Sequence, residues 1–398
     1  MFRISAFIAE LFEPTPVRER CRLPGPVVIW NLIRRCNLLC AHCYSLSADT
    51  DFRGELTTEE ALAVIDDLAA MRVPALILSG GEPLLRPDLF LLADYAKEKG
   101  LYTALSTNGT LIDDAMAEQI AATHFDYVGI SLDGLGETHD RFRRKAGAFD
   151  ASQRALLALR DLGVKVGVRY TMTEDNAHDF VPLLDWVAEA EIPRFYFSHL
   201  NYAGRGKKNR GRDAVAQTTR RALTTLFERA LADYRGGTGR EYTTGNHDAD
   251  GPFFLLWVQA HFPERAEHIA AKLRQWGGNA SGENIANIDN LGNVHPDTMW
   301  WHVTLDNVRN RPFSAIWRDE THPLLAALRR YPRAVSGRCG ACRYLSLCNG
   351  SSRVRAEMAA GDLWSEDPAC YLSDEEVGVA SGKAGVAAQF PVTELLTQ

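Results

Sequence analysis

Cys36-Asn-Leu-Leu-Cys40-Ala-His-Cys43-Tyr44 decides how the rest of the chain is read, because three thiols fall within eight residues at the end of an apolar stretch that begins at Val27. Thiolates are soft ligands suited to iron–sulfur clusters and to zinc, and three at this pitch can wrap one metal centre without help from distant chain. In a cubane [4Fe–4S] cluster, three local cysteines leave one iron open to a ligand that is not protein. A structural zinc site is the competing reading. Zinc loops pair C-x2-4-C with a second Cys/His pair close by, and none follows here. The spacing therefore points to an open cluster held by Cys36, Cys40 and Cys43.

With 398 residues, 46% hydrophobic and 24% charged, the chain has the make-up of a soluble globular protein of two or three domains. A formal net charge of -7 argues against a general nucleic-acid binder, which needs excess Lys and Arg. No apolar run reaches the roughly 18 residues of a membrane span. The segment from Phe2 to Phe12 carries Arg3 and Glu10 and lacks the apolar core of a signal peptide. A cytoplasmic protein with neither membrane nor nucleic acid as partner is expected. Eight cysteines, in sets of three and four plus Cys21, read as metal ligands in a reducing compartment, with Cys21 a bystander.

Beyond the first cysteines, Thr57-Thr-Glu-Glu60 opens a helix with a capping hydroxyl and early acids, and Leu62, Ile65, Leu68 and Met71 continue it as a helical stripe. Strands are expected at 27–32, 75–79, 102–106, 127–132, 165–171 and 194–198, separated by helices near 89–99, 113–122, 149–162 and 177–190. Such alternation implies right-handed crossovers and a parallel sheet: an α/β fold, a partial (β/α)6 barrel with its site at the strand C-termini. Unusual residues fall at those ends. Strand two ends in Gly80-Gly81-Glu82-Pro83, strand three in Ser106-Thr-Asn108-Gly, strand four in Ser131-Leu-Asp133-Gly, and strand five carries Arg169, a candidate carboxylate partner through its planar fork. Taken singly, each also fits an ordinary turn or surface ion pair.

The alternation stops after His199. Gly204-Arg-Gly-Lys-Lys-Asn-Arg-Gly-Arg212 places five positive charges in nine residues of an acidic protein, and reads either as a solvated loop or as a lid that clamps an anionic substrate. A helix over 214–234 follows. Tyr242-Thr-Thr-Gly-Asn-His-Asp-Ala-Asp-Gly251 is polar and glycine-punctuated, and is read as a substrate-contacting loop. Cys339-Gly-Ala-Cys342-Arg-Tyr-Leu-Ser-Leu-Cys348, with Cys370 further on, supplies four thiols, enough to close a cluster with no open iron; structural zinc is the alternative.

The C-x3-C-x2-C spacing, with GGEP 37 residues after its last cysteine, resembles the signature of the radical SAM superfamily. The resemblance implies that S-adenosyl-L-methionine chelates the open iron. Gly80, Gly81, Glu82 and Pro83 would face its amino group, and Ser106, Asn108, Ser131, Asp133 and Arg169 would hold its ribose and carboxylate. The second cysteine set resembles the C-terminal extension of the SPASM subgroup, which implies a second [4Fe–4S] cluster on Cys339, Cys342, Cys348 and Cys370. Asn279, Asp297 and Ser352 stand where that subgroup has three further cysteines, so two clusters are expected in all.

Four longer stretches, Asn201–Arg210, Tyr242–Gly251, Asn293–Trp301 and Gly361–Tyr371, resemble the radical SAM enzymes of heme d1 biosynthesis, and this likeness runs from about Phe2 to about Val377. It implies didecarboxysiroheme, a tetrapyrrole, as substrate. Two propionate side chains would be removed on the way to the oxo groups of heme d1, through a 5′-deoxyadenosyl radical, with flavodoxin or ferredoxin as external electron donor. Trp257, Trp300 and Trp301 could meet the macrocycle, and His199, His247, His295 or His302 could ligate its iron. The alternatives are a tetrapyrrole decarboxylase of alternative heme synthesis, a SPASM peptide maturase, or a non-catalytic iron–sulfur carrier or tetrapyrrole-binding protein. Expected divisions are a lead-in at 1–25, the barrel at 26–235, a SPASM-like cluster domain at 236–372 and a disordered tail at 373–398.

Overall fold

The computed structural model describes residues 1–20 and 23–379, so Cys21 and the expected tail from 380 onward lie outside the described residues. β1 (Val27–Asn31), β2 (Leu76–Ser79), β3 (Thr103–Thr107), β4 (Tyr127–Ser131), β5 (Val166–Met172), β6 (Arg194–His199) and β7 (Glu241–Gly245) pair side by side in sequence order, all parallel. β8 (Ile285–Ile288) lies parallel on the other edge of β1, and β9 (Asn293–His295) and β10 (Asp306–Asn307) extend it antiparallel. The sheet order is β10-β9-β8-β1-β2-β3-β4-β5-β6-β7. The parallel strands are covered by helices on the outside, which is why they read as apolar runs.

The helix Thr58–Met71 begins in a full capping box between Thr57 and Glu60 and buries Ala61, Val64, Ile65, Leu68 and Met71. Two parts of the sheet exceed the six expected strands. The segment from Tyr242 was read as a loop, yet its Tyr-Thr-Thr is β-forming sequence and makes β7; only after Gly245 does it turn toward the helix Asp250–His261. The sheet therefore runs across the expected boundary at 235/236, and β8 carries it into the C-terminal region.

The expected lead-in is structured. Phe2 exchanges both backbone hydrogen bonds with Thr244 at 2.8 Å, and the helix Ile4–Phe12 buries Ile4, Phe7, Ile8 and Leu11 against the helix Ala216–Gly236. Glu10 fixes its outer end through His268 at 2.9 Å, Lys272 at 3.1 Å and the Thr15 hydroxyl at 2.6 Å. Partial burial pushes the Glu10 carboxyl up, but these hydrogen bonds hold it down to about 2. A depressed carboxylate contributes stability above its unfolded pKa of about 4.3 and loses it as pH falls through the folded value. The protection of amides in residues 4–12, taken relative to the intrinsic exchange rate at each pH, is therefore expected to fall between about pH 4.3 and 2, and Glu10→Gln to bring the same loss to neutral pH at a cost under about 1 kcal/mol.

At the other end, Ser373 caps a short helix Asp374–Val377, whose Glu376 pairs with Arg220 at 2.7 Å. No helix among the described residues is long and apolar enough to cross a membrane.

Candidate active site

The cysteine loop leaves β1 at its C-terminal end and is gripped from four sides. Below it lies the turn after β2. Gly81 donates to Ile33 O at 2.6 Å and Glu82 to Arg35 O at 2.9 Å. A Cβ on Gly81 would stand 2.2 Å from Arg35 O, and one on Gly80 2.5 Å from Ile33 O. The glycines thus admit the backbone of the cysteine loop itself, in addition to any ligand above it.

Glu82 is fully buried and accepts from Thr107 Oγ1 at 2.7 Å, Asn108 N at 2.8 Å and Leu84 N at 3.2 Å. Burial pushes its carboxyl up to about 7 against the pull of those donors. Asn108 turns back to the loop, donating to Asn37 Oδ1 at 2.9 Å and lying 3.9 Å from Cys36 Sγ.

On the next side stands a residue that the sequence reading missed. Arg143 ends the helix Gly136–Arg143, is almost wholly buried, donates to Cys40 Sγ at 3.5 Å and pairs with Asp133. Asp133 also accepts from Thr171 N at 2.7 Å, and its own N–H donates to His139 Nδ1 at 2.9 Å. Burial pushes Cys36 up to about 12 and raises Cys40, with Arg143 opposing it at Cys40. Such sulfurs ionise only against positive charge, which bound iron would supply.

The fourth side is the basic run. Its first half is a helical turn, Arg205–Lys208, that closes onto the cysteine loop: Arg205 donates to Cys40 O at 2.7 Å and Ser47 O at 2.9 Å, and Asn209 to Ala41 O at 2.8 Å. Gly204 makes this possible, with φ of 55° and a would-be Cβ 2.4 Å from Tyr44 O. Neither a solvated loop nor a free lid describes this half of the run, because packing against the loop backbone fixes it.

Inside the barrel, Arg169 reaches from β5 across β4 to Ser106 on β3, donating to its hydroxyl at 2.9 Å, with its guanidinium 5.1 Å from the Tyr196 ring. It can cross because Gly129 has no side chain: a Cβ there would meet Arg169 Cδ at 2.7 Å. Ser131 pairs with Arg169 in register. Ser106, Ser131 and Arg169 thus share the lumen, whereas Glu82, Asn108 and Asp133 are spent on the loop and strand ends.

The second cysteine set surrounds one cavity, lined by Cys339, Cys342, Cys348 and Cys370 together with Pro252 and Leu372. Asp367 N donates to Cys339 Sγ at 3.5 Å and Tyr344 N to Cys342 Sγ at 3.3 Å. Behind it, Arg355 and Asp367 form a fully buried bidentate pair at 2.9 and 2.7 Å. Arg355 also donates to Leu200 O at 3.2 Å and Asn246 O at 2.7 Å, tying the ends of β6 and β7 to the cysteines. Asn279 and Asp297 meet through Ser281, and Arg333 donates to Asn279 at 2.6 Å; Ser352 instead caps the helix Arg353–Ala360.

Several side chains assigned to the macrocycle are otherwise engaged. Trp300 is fully buried and donates to Glu357 at 2.5 Å, and Trp257 is packed among Phe227 and Phe254. Only Trp301 is partly exposed, parallel to His295 and edge-on to Tyr44. His199 is buried against Asp250 at 3.0 Å, His247 donates to Ala369 O at 2.8 Å and His295 to Val303 O at 2.8 Å, while the exposed His302 bonds Glu357 at 2.9 Å.

The sequence pattern of the Radical SAM superfamily matches residues 30–187. A Dinoroseobacter shibae protein named pre-heme d1 synthase is 50% identical over 96% of this chain and 95% of its own length. Fe-coproporphyrin III synthase of Methanosarcina barkeri is 45% identical over 89% of each. Among solved structures, Streptococcus suis SuiB bound to S-adenosylmethionine shares the fold, with a TM-score of 0.68 at 18% identity over 88% of this chain and 78% of that one.

Proposed function

This chain belongs to the radical SAM superfamily, and on that premise we propose that it removes two propionate side chains from didecarboxysiroheme on the way to the oxo groups of heme d1. Membership brings S-adenosylmethionine and one [4Fe–4S] cluster with it. The observation that carries the substrate is 50% identity to pre-heme d1 synthase along almost the whole of both chains. It covers the barrel and the second cysteine set alike.

In this reading Cys36, Cys40 and Cys43 hold the first cluster. When bound, cluster and sulfonium cofactor together supply one-electron chemistry ending in hydrogen abstraction from the substrate. The chain does the rest. Arg143 and Asn108 stabilise the thiolates of Cys40 and Cys36, since hydrogen bonds and nearby positive charge favour the ionised sulfur. Gly80, Gly81, Glu82 and Pro83 would form the side of the site that receives the cofactor's amino group. Arg169, with Ser106 and Ser131, offers a fork for its carboxylate and hydroxyls for its ribose. Asn108 and Asp133 act one step back, by orienting the loop and Arg143. Trp301 meets the macrocycle's flat face, and an external one-electron donor completes the cycle.

Cys339, Cys342, Cys348 and Cys370 hold a second [4Fe–4S] cluster. Support comes from the single cavity they line and from the two backbone N–H donors aimed at their sulfurs.

The test is anaerobic reconstitution, reduction, and mass spectrometry with S-adenosylmethionine, with and without didecarboxysiroheme. 5′-Deoxyadenosine together with loss of propionate mass is expected. The 45% identity to Fe-coproporphyrin III synthase favours a second reading, a tetrapyrrole enzyme with a different product. Deoxyadenosine with other side chains altered would select it. Cys342→Ser separates two roles for the second cluster: a structural one loses soluble protein with activity, whereas an electronic one keeps cofactor cleavage and stops substrate turnover.

A further inference from the structure

We propose that the outer face of the Cys40–Cys43 turn is the docking face for an acidic, one-electron carrier protein. The inference rests on the reading of Cys36, Cys40 and Cys43 as cluster ligands. Two elements flank this turn. The end of the helix Gly136–Arg143 meets it through Ala41 N to Phe142 O at 3.2 Å and through the His42 ring stacked on Phe142 at 4.7 Å. From the other side, Arg205 N donates to Cys43 O at 2.8 Å.

Beyond those contacts, both elements turn cations outward. Arg141, Arg144 and Lys145 are exposed on the first, Lys207 and Lys208 on the second. None has a side-chain partner among the described residues. Unpaired arginines occur elsewhere too, Arg53, Arg72 and Arg221 among them, but here five unpaired cations gather on two short segments that flank the cysteine turn, in a chain whose net charge is -7. Asp140, whose carboxylate accepts from Gly147 N at 2.6 Å and Phe149 N at 2.8 Å, and the exposed Glu137 on the same helix offset two of these five charges and leave the face with an excess of positive charge. Leu39, next to Cys40 in the chain and 47% exposed, adds an apolar side chain on the cysteine loop itself.

Unpaired cations on both segments that flank the turn of a redox ligand suit a transient encounter with an acidic partner, because long-range attraction sets the on-rate without a large buried interface. In that encounter the reduced carrier loses one electron and the oxidised cluster gains it. No proton or group is transferred. The substrate's carboxylates are the other possible occupant, and the experiment separates the two.

An acidic flavodoxin is the probe. Its binding to reconstituted wild-type enzyme and to Arg141→Glu/Lys145→Glu and Lys207→Glu/Lys208→Glu is measured by titration at about 50 and 300 mM salt, a range over which screening grows. Reduction of the cluster by flavodoxin hydroquinone and by dithionite is followed by stopped flow. Both variants are expected to bind flavodoxin at least about tenfold more weakly and to be reduced by it correspondingly slowly, while dithionite reduction stays at the wild-type rate; wild-type binding should weaken with salt. Unchanged flavodoxin binding in both variants, or wild-type binding indifferent to salt, would overturn the proposal. So would normal flavodoxin reduction with a raised KM for didecarboxysiroheme, which would assign the cations to substrate. Neutral Lys207→Gln/Lys208→Gln should lie between wild type and reversal, guarding against misfolding. Absence of an iron–sulfur spectrum from Cys36→Ser and wild type alike, in protein that still binds flavodoxin, would instead sink the underlying cluster reading.

Discussion

Gly81→Ala is expected to yield protein that binds little iron at the first cysteine set and forms no measurable 5′-deoxyadenosine. The added methyl would stand 2.2 Å from Arg35 O, 2.5 Å from Arg34 O and 2.7 Å from Arg35 C, all backbone atoms that cannot rotate away. Overpacking of this kind costs about 1–3 kcal/mol, and parting the turns forfeits two hydrogen bonds worth about 1 kcal/mol each. A local penalty of about 3–5 kcal/mol falls on the loop carrying Cys36. Gly211→Ala is the control: nothing lies within 4 Å of a Cβ there, and iron content should not change. Iron and sulfide assays with anaerobic turnover check both. Wild-type iron content in Gly81→Ala would show that the loop is not set by this contact.

The second large effect is expected at Arg355→Met. It leaves Asp367 fully buried with its ion partner gone, and breaking such a pair costs about 3–5 kcal/mol. Asp367 is held well below the usual carboxylate range, chiefly by Arg355 acting against burial, so the pair contributes fully above about pH 4 and the variant should be impaired across the neutral range. Since Asp367 also carries the N–H aimed at Cys339, damage should concentrate on the second cysteine set and lower the iron content of the reconstituted protein. Arg355→Met with Asp367→Leu should recover part of the stability, because two apolar groups replace two charges. Thermal melts of the three proteins, with iron counts, decide it.

Much of this was legible in the chain, for identifiable reasons. Three cysteines in eight residues carry their meaning locally, and so does the Thr57 capping box, because the partner groups are three residues apart. Strands and helices from 75 to 198 could be read because each buries a periodic face. What stayed hidden is whatever depends on a long-range partner. Arg143 sits in a run of basic residues that gives no sign which one turns inward to Cys40. Arg205 reads as part of a solvated loop or a lid for the same reason: the carbonyls it satisfies belong to residues 40 and 47. Glu82 was expected to face a ligand, and only the fold reveals that Thr107 and Asn108 take both its oxygens. The tryptophans could not be ranked by sequence, since burial alone separates Trp257 and Trp300 from Trp301.

β1 is joined on one edge by β2 and on the other by β8, and the contact of Asn287 with Ile29 spans 258 residues of chain. During synthesis the ribosome makes the cysteine loop early, but the strand that carries it keeps a bare edge until nearly three quarters of the polypeptide has emerged. A nascent chain stalled before Ile285 should therefore be protease-sensitive around Val27–Asn31 and prone to pairing with other chains. Iron delivered to Cys36, Cys40 and Cys43 would find a settled loop only once that late strand has been added, so cofactor insertion belongs after translation of the C-terminal third rather than alongside that of the barrel.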